Sequence, residues 1–326
     1  MTDYQHELQF GVFITPQSRE PQRAVKLAQE AEHAGLDLVT FMDHPYQPAL
    51  LDTWTLLSYV AARTERVHVS GYVLNLPSRP PAVLARAAAG LDRLSSGRVE
   101  LAIGPGDTFA ADAIVANGGA RRSAPQAVQA LSEAIDIIKG IWDTAPTGSL
   151  TIEGDQYQVR GVPRGPSPAH EIGIWVPAAG PRMRRLVGEK ADAWIAGGAW
   201  ISDVDAVVPS GNLAVDEAAL AAGRDPREIR RIWDFEGSFG TLGRGIAAAQ
   251  PEQWAERLLP LAVVHGMSTF ILISDDPRTV IRFGQEVAPA LSEAVAHERG
   301  TVAADRAGRE AGERPEKGSH VETRAG

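Results

Sequence analysis

Short apolar runs recur along the chain and predict the strands of a parallel sheet. The first four begin near residues 8, 36, 67 and 99, about thirty residues apart, which is the length of one strand–loop–helix–loop unit. Four more follow over residues 172–176, 193–197, 229–235 and 269–274. Because these runs are almost continuously apolar, we expect helices to cover the sheet formed by the strands.

Helical patterns, with apolar residues three or four positions apart, lie between the strands. Pro21 opens the first helix and Gly35 closes it, as is typical of these residue types. The other helices are predicted over residues 52–63, 81–94, 124–142, 181–190, 213–222, 251–265 and 277–297. This alternation predicts an α/β fold, a (β/α)8 TIM barrel that forms a single domain.

Two segments depart from this regular alternation. After the fourth strand the chain carries an insertion, which includes the predicted hairpin LTIEGDQYQVRG with its turn at residues 153–155. Residues 298–326 contain no aromatic residue, and six acids there balance six bases. Since such a segment buries little apolar surface, we predict a barrel over residues 1–297 and a disordered polar tail over 298–326.

Composition excludes several classes of function. The 326 residues carry a formal net charge of −9 without a run of Lys or Arg, so neither a nucleic acid nor a membrane surface is an expected partner. Cysteine is absent, which rules out disulfides and thiolate chemistry. The eight histidines are scattered along the chain, so no metal site is predicted. No signal peptide or membrane span is evident, and a cytoplasmic location is expected.

Polar residues follow the second and fourth strands, where barrel enzymes carry their catalytic groups. Asp43 and His44 come directly after strand 2, and such a pair can accept hydrogen bonds and transfer protons near neutral pH. The alternative is a helix-capping Asp beside a surface His. Gly104 and Gly106 end strand 4 and would let a ligand approach the backbone, with Asp107 beside them, although glycines also form ordinary turns.

The loop after the fifth strand has the features of a phosphate site. Ala178, Ala179 and Gly180 precede Pro181 at the start of a helix, where free amides and the helix dipole favour an anion, and Arg182 is adjacent. A plain turn capped by proline is the alternative.

Three stretches together resemble the luciferase-like flavin oxidoreductases. They are DHPYQP after strand 2, PPAVLARAAAGLDRLSSGRVELAIGPGD up to the end of strand 4, and AAGPRM after strand 5. The branch that depends on the deazaflavin coenzyme F420 is the most similar, and the likeness extends over about residues 8–290. The resemblance implies a TIM barrel that binds F420, or FMN as the alternative, and acts on a small organic molecule.

The resemblance also implies roles for individual residues. His44 would lie at the reacting face and Asp107 would be a proton donor, so these two are the predicted catalytic residues. The Tyr72–Val73 peptide bond matches a non-prolyl cis bond that supports the ring system of the cofactor. The predicted cofactor-binding residues are Asp43, Tyr72, Val73, Asn75, Gly106, Ala178, Ala179, Gly180 and Arg182.

Two departures argue against a sugar phosphate as the substrate. Gln17 stands where the sugar-phosphate dehydrogenases of this branch carry an acid, and Ala49 replaces their tryptophan. Trp233, Phe235 and Phe239 either line the substrate pocket or fill the core.

The leading hypothesis is hydride transfer between F420 and an organic substrate. One alternative is a two-component monooxygenase that uses FMNH2 and oxygen with a partner reductase. The other is a flavin-binding barrel without catalytic activity. By the same likeness, a homodimer that pairs through the second and third helices is expected.

Overall fold

The computed structural model describes residues 3–106, 108–201, 203–239 and 250–312. The predicted catalytic residue Asp107 lies outside them. Among the described residues, no helix is both long enough and apolar enough to cross a membrane.

Most of the strands form one parallel sheet, and two others form a separate hairpin. The sheet follows the order β3–β2–β1–β11–β10–β9–β8–β5–β4, while β6 and β7 pair with each other in antiparallel orientation. The strands are β1 (Gln9–Ile14), β2 (Leu38–Phe41), β3 (His68–Gly71), β4 (Leu74–Asn75), β5 (Leu101–Gly104), β6 (Leu150–Glu153), β7 (Gln158–Val162), β8 (Ile174–Pro177), β9 (Ala193–Ile195), β10 (Arg230–Glu236) and β11 (Thr269–Ile273).

The parallel sheet closes into a barrel where β3 meets the residues before β5. Val69 and Val99 form a parallel bridge there, and the Val69 N–H donates to the carbonyl of Arg98 at 2.8 Å. The strands β3 and β4 are two halves of the third predicted strand, so the nine strands of the sheet correspond to the eight predicted ones. The TIM-barrel prediction is therefore confirmed, and the predicted hairpin is present as β6 and β7.

Helices surround the barrel, and several begin at a proline, whose missing N–H costs nothing in the first turn. Among the described residues they are α1 (Pro21–His33), α2 (Thr53–Ala61), α3 (Pro81–Leu94), α4 (Ala111–Ala116), α5 (Ala124–Trp142), α6 (Pro181–Lys190), α7 (Val204–Ala221), α8 (Pro251–Val263), α9 (Pro277–Arg282) and α10 (Ala288–Gly312). A π-helical turn, Phe283–Val287, joins the last two.

Helix α7 begins earlier than the predicted residue 213. The predicted start lies after Pro209, a residue type that usually disrupts a helix interior. In the structure, the Asp203 side chain accepts a hydrogen bond from the Ala206 N–H and starts the helix at Val204, and Pro209 lies inside it. The capping bond thus fixes the start of the helix, and the proline is tolerated a few residues later.

The C-terminal segment also differs from its prediction. Residues 298–312 were predicted to be disordered, but they continue helix α10. Arg299 donates two hydrogen bonds to the Asp3 carboxylate, at 2.8 and 2.9 Å, and so attaches the start of this segment to the barrel. Alanine, arginine and glutamate are also strong helix formers, which favours a helix in this segment.

Candidate active site

A cavity of about 270 Å³ opens at the carboxyl ends of the strands. It lies over β2, β4, β5 and β8, and Pro177 of β8 forms part of its wall. Six of the predicted site residues line it: Asp43, His44, Tyr72, Val73, Asn75 and Gly106. The barrel therefore brings together residues that come from three different strand ends.

Asp43 is held by the protein on both of its carboxylate oxygens. The Asn75 N–H donates to Oδ2 at 2.7 Å, and the Arg79 guanidinium donates to Oδ1 at 2.7 Å. The Asp43 side chain has no exposed surface. Arg79 also lies 3.4 Å from Asp52, the residue that caps α2. The carboxylate of Asp43 thus joins the end of β2 to the segment between β4 and α3. The sequence did not predict Arg79 as its partner.

His44 is half-buried at the edge of the cavity. Its Nδ1 lies 2.7 Å from the Tyr46 hydroxyl, a contact between residues two positions apart. A turn after His44, in which the Gln47 N–H donates to the His44 carbonyl at 2.9 Å, keeps this loop close to the strand end. Because Nδ1 is occupied by Tyr46, Nε2 is the ring nitrogen left for exchanging a proton with a ligand.

The Tyr72–Val73 peptide bond is cis, as the resemblance implied. It lies between β3 and β4, and the bulge that it forms presents Val73 to the end of β5. A Cβ atom added to Gly104 would lie 2.6 Å from the Val73 Cγ2 atom, so only glycine fits opposite the bulge. Gly106 has a φ of +90°, and a Cβ there would meet the Pro77 ring at 2.7 Å. Both glycines of the GPG stretch are therefore required by close packing.

Beneath the cavity, Tyr72 and Asp234 face each other inside the barrel. Burial raises the pKa of the Tyr72 hydroxyl well above its usual value, and the charge of Asp234 adds to the effect. Burial also raises the pKa of Asp234, although its carboxylate accepts a hydrogen bond from the Gly198 N–H at 2.7 Å. Sequence reasoning missed Asp234; the available signal was one acid inside the apolar strand IRRIWDF.

The predicted phosphate loop lies beside the cavity but does not line it. The N–H of Ala178 is used in the sheet, where it donates to the Ile195 carbonyl at 3.2 Å. Ala179, Gly180 and Arg182 are exposed at the start of α6, and a Cβ added to Gly180 would have no neighbour within 4 Å. Of the three backbone N–H groups predicted to bind a phosphate, those of Ala179 and Gly180 therefore do not take part in this sheet pairing.

Comparison with known proteins identifies the family. A sequence profile of the luciferase-like monooxygenases matches residues 8–314. The chain belongs to the luciferase-like family. This confirms the resemblance carried by the strand ends, and the fold and the cis bond agree with it.

Individual relatives of this luciferase-like protein carry different cofactors. It is 29% identical over 255 residues to an F420-dependent glucose-6-phosphate dehydrogenase of Intrasporangium calvum, an alignment that covers 76% of this chain and 74% of the relative. A solved F420-dependent secondary alcohol dehydrogenase, in complex with an F420–acetone adduct, has the same fold with a TM-score of 0.75 at 20% identity, over 88% of this chain and 99% of that chain. The oxygenating constituent of 3,6-diketocamphane monooxygenase from Pseudomonas putida, in complex with FMN, reaches 0.69 at 19% identity, over 87% and 98% of the two chains.

A second cavity of the luciferase-like barrel, of about 350 Å³, lies at the ends of β1, β10 and β11. Phe13, Thr15, Glu236 and Asp275 are among its lining residues. The Phe13 ring packs edge-on against Tyr72 with a centroid distance of 5.9 Å, so this cavity adjoins the first one at the barrel axis. Two carboxylates face the second cavity, which makes its described lining acidic.

The three aromatic residues considered for a substrate pocket pack in the core instead. Trp233 and Phe235 are 2% and 3% exposed. Phe239 stacks on Trp254 with a centroid distance of 4.2 Å. None of the three lines either cavity among the described residues.

The raised pKa of Asp234 predicts a pH-dependent stability. The native protein keeps a proton on Asp234 at pH values where the unfolded chain, with a pKa of about 3.9, has lost it. The wild-type free energy of unfolding should therefore fall as pH rises through this interval, because the native state binds more protons. Asp234→Asn should remove this part of the decline, as measured by urea unfolding between acid and neutral pH. A constant difference between wild type and variant at every pH would contradict the prediction.

Proposed function

We propose that this luciferase-like protein is an oxidoreductase that transfers a hydride between coenzyme F420 and a small organic substrate. The observation that carries the proposal is the cavity at the strand ends, where His44, Asn75 and the cis Tyr72–Val73 bulge meet. The relatives named as F420-dependent support this choice of cofactor. We place the reaction at this mouth of the barrel, since catalytic groups of TIM barrels lie at the carboxyl ends of the strands.

The residues of the cavity fit a flat ring system. Val73, held against Gly104, supplies an apolar surface, and Asn75 lies at the polar edge. The cavity of about 270 Å³ is at the small end for a ligand pocket, so it fits the ring portion of a cofactor rather than the whole molecule. The amides of Ala179 and Gly180 at the start of α6 are then suited to the phosphate.

Within this proposal, the cofactor supplies the hydride chemistry and the protein supplies orientation and a proton. His44 is the proposed acid or base, acting through Nε2 while Tyr46 holds Nδ1. Asp43 acts as a positioning residue, because its carboxylate fixes the Asn75 backbone and the end of the bulge. Asp107 remains a predicted proton donor.

The substrate is proposed to be uncharged or cationic. The second cavity is lined by Glu236 and Asp275, and carboxylates repel a phosphate or carboxylate group in a partly desolvated site. Gln17 and Ala49 replace residues of the sugar-phosphate enzymes, which is consistent with this assignment. An alcohol or carbonyl compound without an anionic group fits these features best.

Cofactor binding is the first test of the proposed function. We expect the purified protein to bind F420 with a dissociation constant in the micromolar range or below, and FMN much more weakly, in parallel fluorescence and calorimetric titrations. Preference for FMN would contradict the proposal and favour the monooxygenase alternative with a partner reductase. Tight F420 binding without turnover of any alcohol or carbonyl compound would favour the non-catalytic barrel.

Substitution of His44 separates catalysis from cofactor binding. His44→Ala should lower kcat by about 10²–10⁴-fold, the usual contribution of general acid–base catalysis, because Nε2 no longer exchanges a proton. The dissociation constant for F420 should stay close to that of the wild type. His33→Ala, on an exposed position of α1, is the matched control and should leave both quantities unchanged. A variant with full kcat would exclude His44 from the reaction.

We also propose that the protein is a homodimer that pairs through α2 and α3. A groove of about 480 Å³ between them is lined by small and apolar residues, among them Ala61, Ala87 and Gly90. Leu94 lines this groove and is 85% exposed, so it extends the apolar surface of the groove. Close packing of helices requires small residues of this kind, so a second copy of the chain is the proposed occupant of the groove.

Leu94→Glu should convert the dimer to a monomer, because a buried unpaired carboxylate opposes association. Sedimentation equilibrium measures the change. Leu220→Glu on α7, where the side chain is 64% exposed, is the matched control and should leave the dimer intact. Equal masses for the wild type and Leu94→Glu would contradict the pairing surface.

A further inference from the structure

Two histidines and a glutamate meet at the amino end of the barrel, away from the candidate active site. His68 is the first residue of β3, Glu100 directly precedes β5, and His170 lies in the loop before β8. These elements are neighbours, since β5 pairs with β8 and contacts β3 through the Val69–Val99 bridge. The closure of the barrel therefore brings together three side chains that are far apart in the sequence.

The three side chains point their ligand atoms at one another. Glu100 Oε2 accepts a hydrogen bond from the Gly173 N–H at 3.0 Å, which leaves Oε1 facing the two rings. Oε1 lies 3.5 Å from His68 Nδ1 and 3.8 Å from His170 Nε2, and all three atoms lie within 4.8 Å of one another. Both ring nitrogens are buried and have no hydrogen-bond partner in the described part of the chain.

These separations suit a shared metal ion better than hydrogen bonds. Hydrogen bonds between nitrogen and oxygen are usually about 2.9–3.0 Å long. Two ligands on one tetrahedral zinc ion, each at about 2.0–2.1 Å from it, lie roughly 3.3 Å apart. The distances from Glu100 Oε1 to the two imidazoles are close to the second value, so small side-chain movements would complete the site.

Asp92 gives His170 the support that a metal-binding histidine normally has. Its Oδ1 lies 2.8 Å from His170 Nδ1, and its side chain has no exposed surface. The Ala169 N–H donates to Oδ2 of the same carboxylate at 2.7 Å, which fixes its orientation. A carboxylate bound to Nδ1–H holds the ring in the tautomer whose Nε2 lone pair is free for a metal. That Nε2 atom is the one that faces Glu100.

The alternative explanation is a protonated His170 between two carboxylates. Asp92 and Glu100 do raise the pKa of His170, with the Glu100 side chain as the larger influence. A protonated ring would, however, donate to Glu100 at about 2.7–2.9 Å, the usual length of a charged N–H···O bond. The observed separation of 3.8 Å leaves Nε2 without such a bond. The geometry therefore favours a bound cation over a proton.

We propose that His68 Nδ1, Glu100 Oε1 and His170 Nε2 bind a divalent transition-metal ion of the zinc class. Two imidazoles and one carboxylate are a donor set that zinc accepts, with water as the fourth ligand. The ion would link β3, the start of β5 and the loop before β8 at the end of the barrel that is opposite the candidate active site. Sequence reasoning predicted no metal site, because the two histidines are distant in the chain.

Zinc binding by the untagged full-length protein tests the proposal. After treatment with a chelator and removal of the chelator, the wild type should bind one Zn²⁺ per chain in competition with a chromophoric indicator, with a dissociation constant in the micromolar range or below. Co²⁺ should give the visible absorption of a tetrahedral site. A stripped wild type that binds no zinc in this range would overturn the proposal, whatever the variants do.

Variants show whether these residues form the site. His68→Gln and Glu100→Gln should lose zinc binding and the Co²⁺ spectrum, whereas His33→Gln on α1 should bind as the wild type does. Zinc should raise the Tm of the wild type and of His33→Gln, but not that of the other two. Glutamine at position 100 keeps an oxygen for the Gly173 N–H, so the metal-free variants should retain the wild-type circular dichroism spectrum. Wild-type zinc affinity in both His68→Gln and Glu100→Gln would also overturn the assignment.

Discussion

The buried carboxylate of Asp43 is the constraint on which the candidate active site depends. A carboxylate without exposed surface is stable only when its oxygens are paired, since removal of either partner leaves a buried charge. Here the partners are the Asn75 N–H and the Arg79 guanidinium, which lie on either side of the loop that leads into α3. This attachment lies next to the cis Tyr72–Val73 bond, and both residues of that bond line the cavity.

Asp43 and His44 are neighbours at the end of β2, but their side chains point in different directions and make different contacts. Asp43 turns into the protein and fixes the scaffold, while His44 stays at the edge of the cavity with Nδ1 held by Tyr46. The placement of an acid and an imidazole side by side therefore combines a buried structural contact and a cavity-lining ring in one short loop. The tight packing of Gly104 against Val73 completes the arrangement from the side of β5.

The two ends of the barrel carry polar groups of different kinds. The carboxyl ends hold the cavities and His44, whereas the amino ends hold the His68, Glu100 and His170 cluster. Between them the interior is almost entirely apolar, with residues such as Ile232 and Ile271. Asp234 is a buried acid in this interior, and it interacts with Tyr72, which lines the candidate active site.

The sequence by itself determined the repeating strand–helix units and the bounds of α1, α3 and α5. It also placed Asp43 and His44 at the end of a strand. These features could be predicted because prolines, caps and apolar periodicity act within a few residues. It also indicated the family, through motifs that are short and local. The tertiary structure alone decided that Arg79 pairs with Asp43, that Trp233 and Phe235 fill the core, and that His68 meets His170. Each of these contacts forms only when distant strands become neighbours, and barrel closure, rather than local pattern, determines which strands those are.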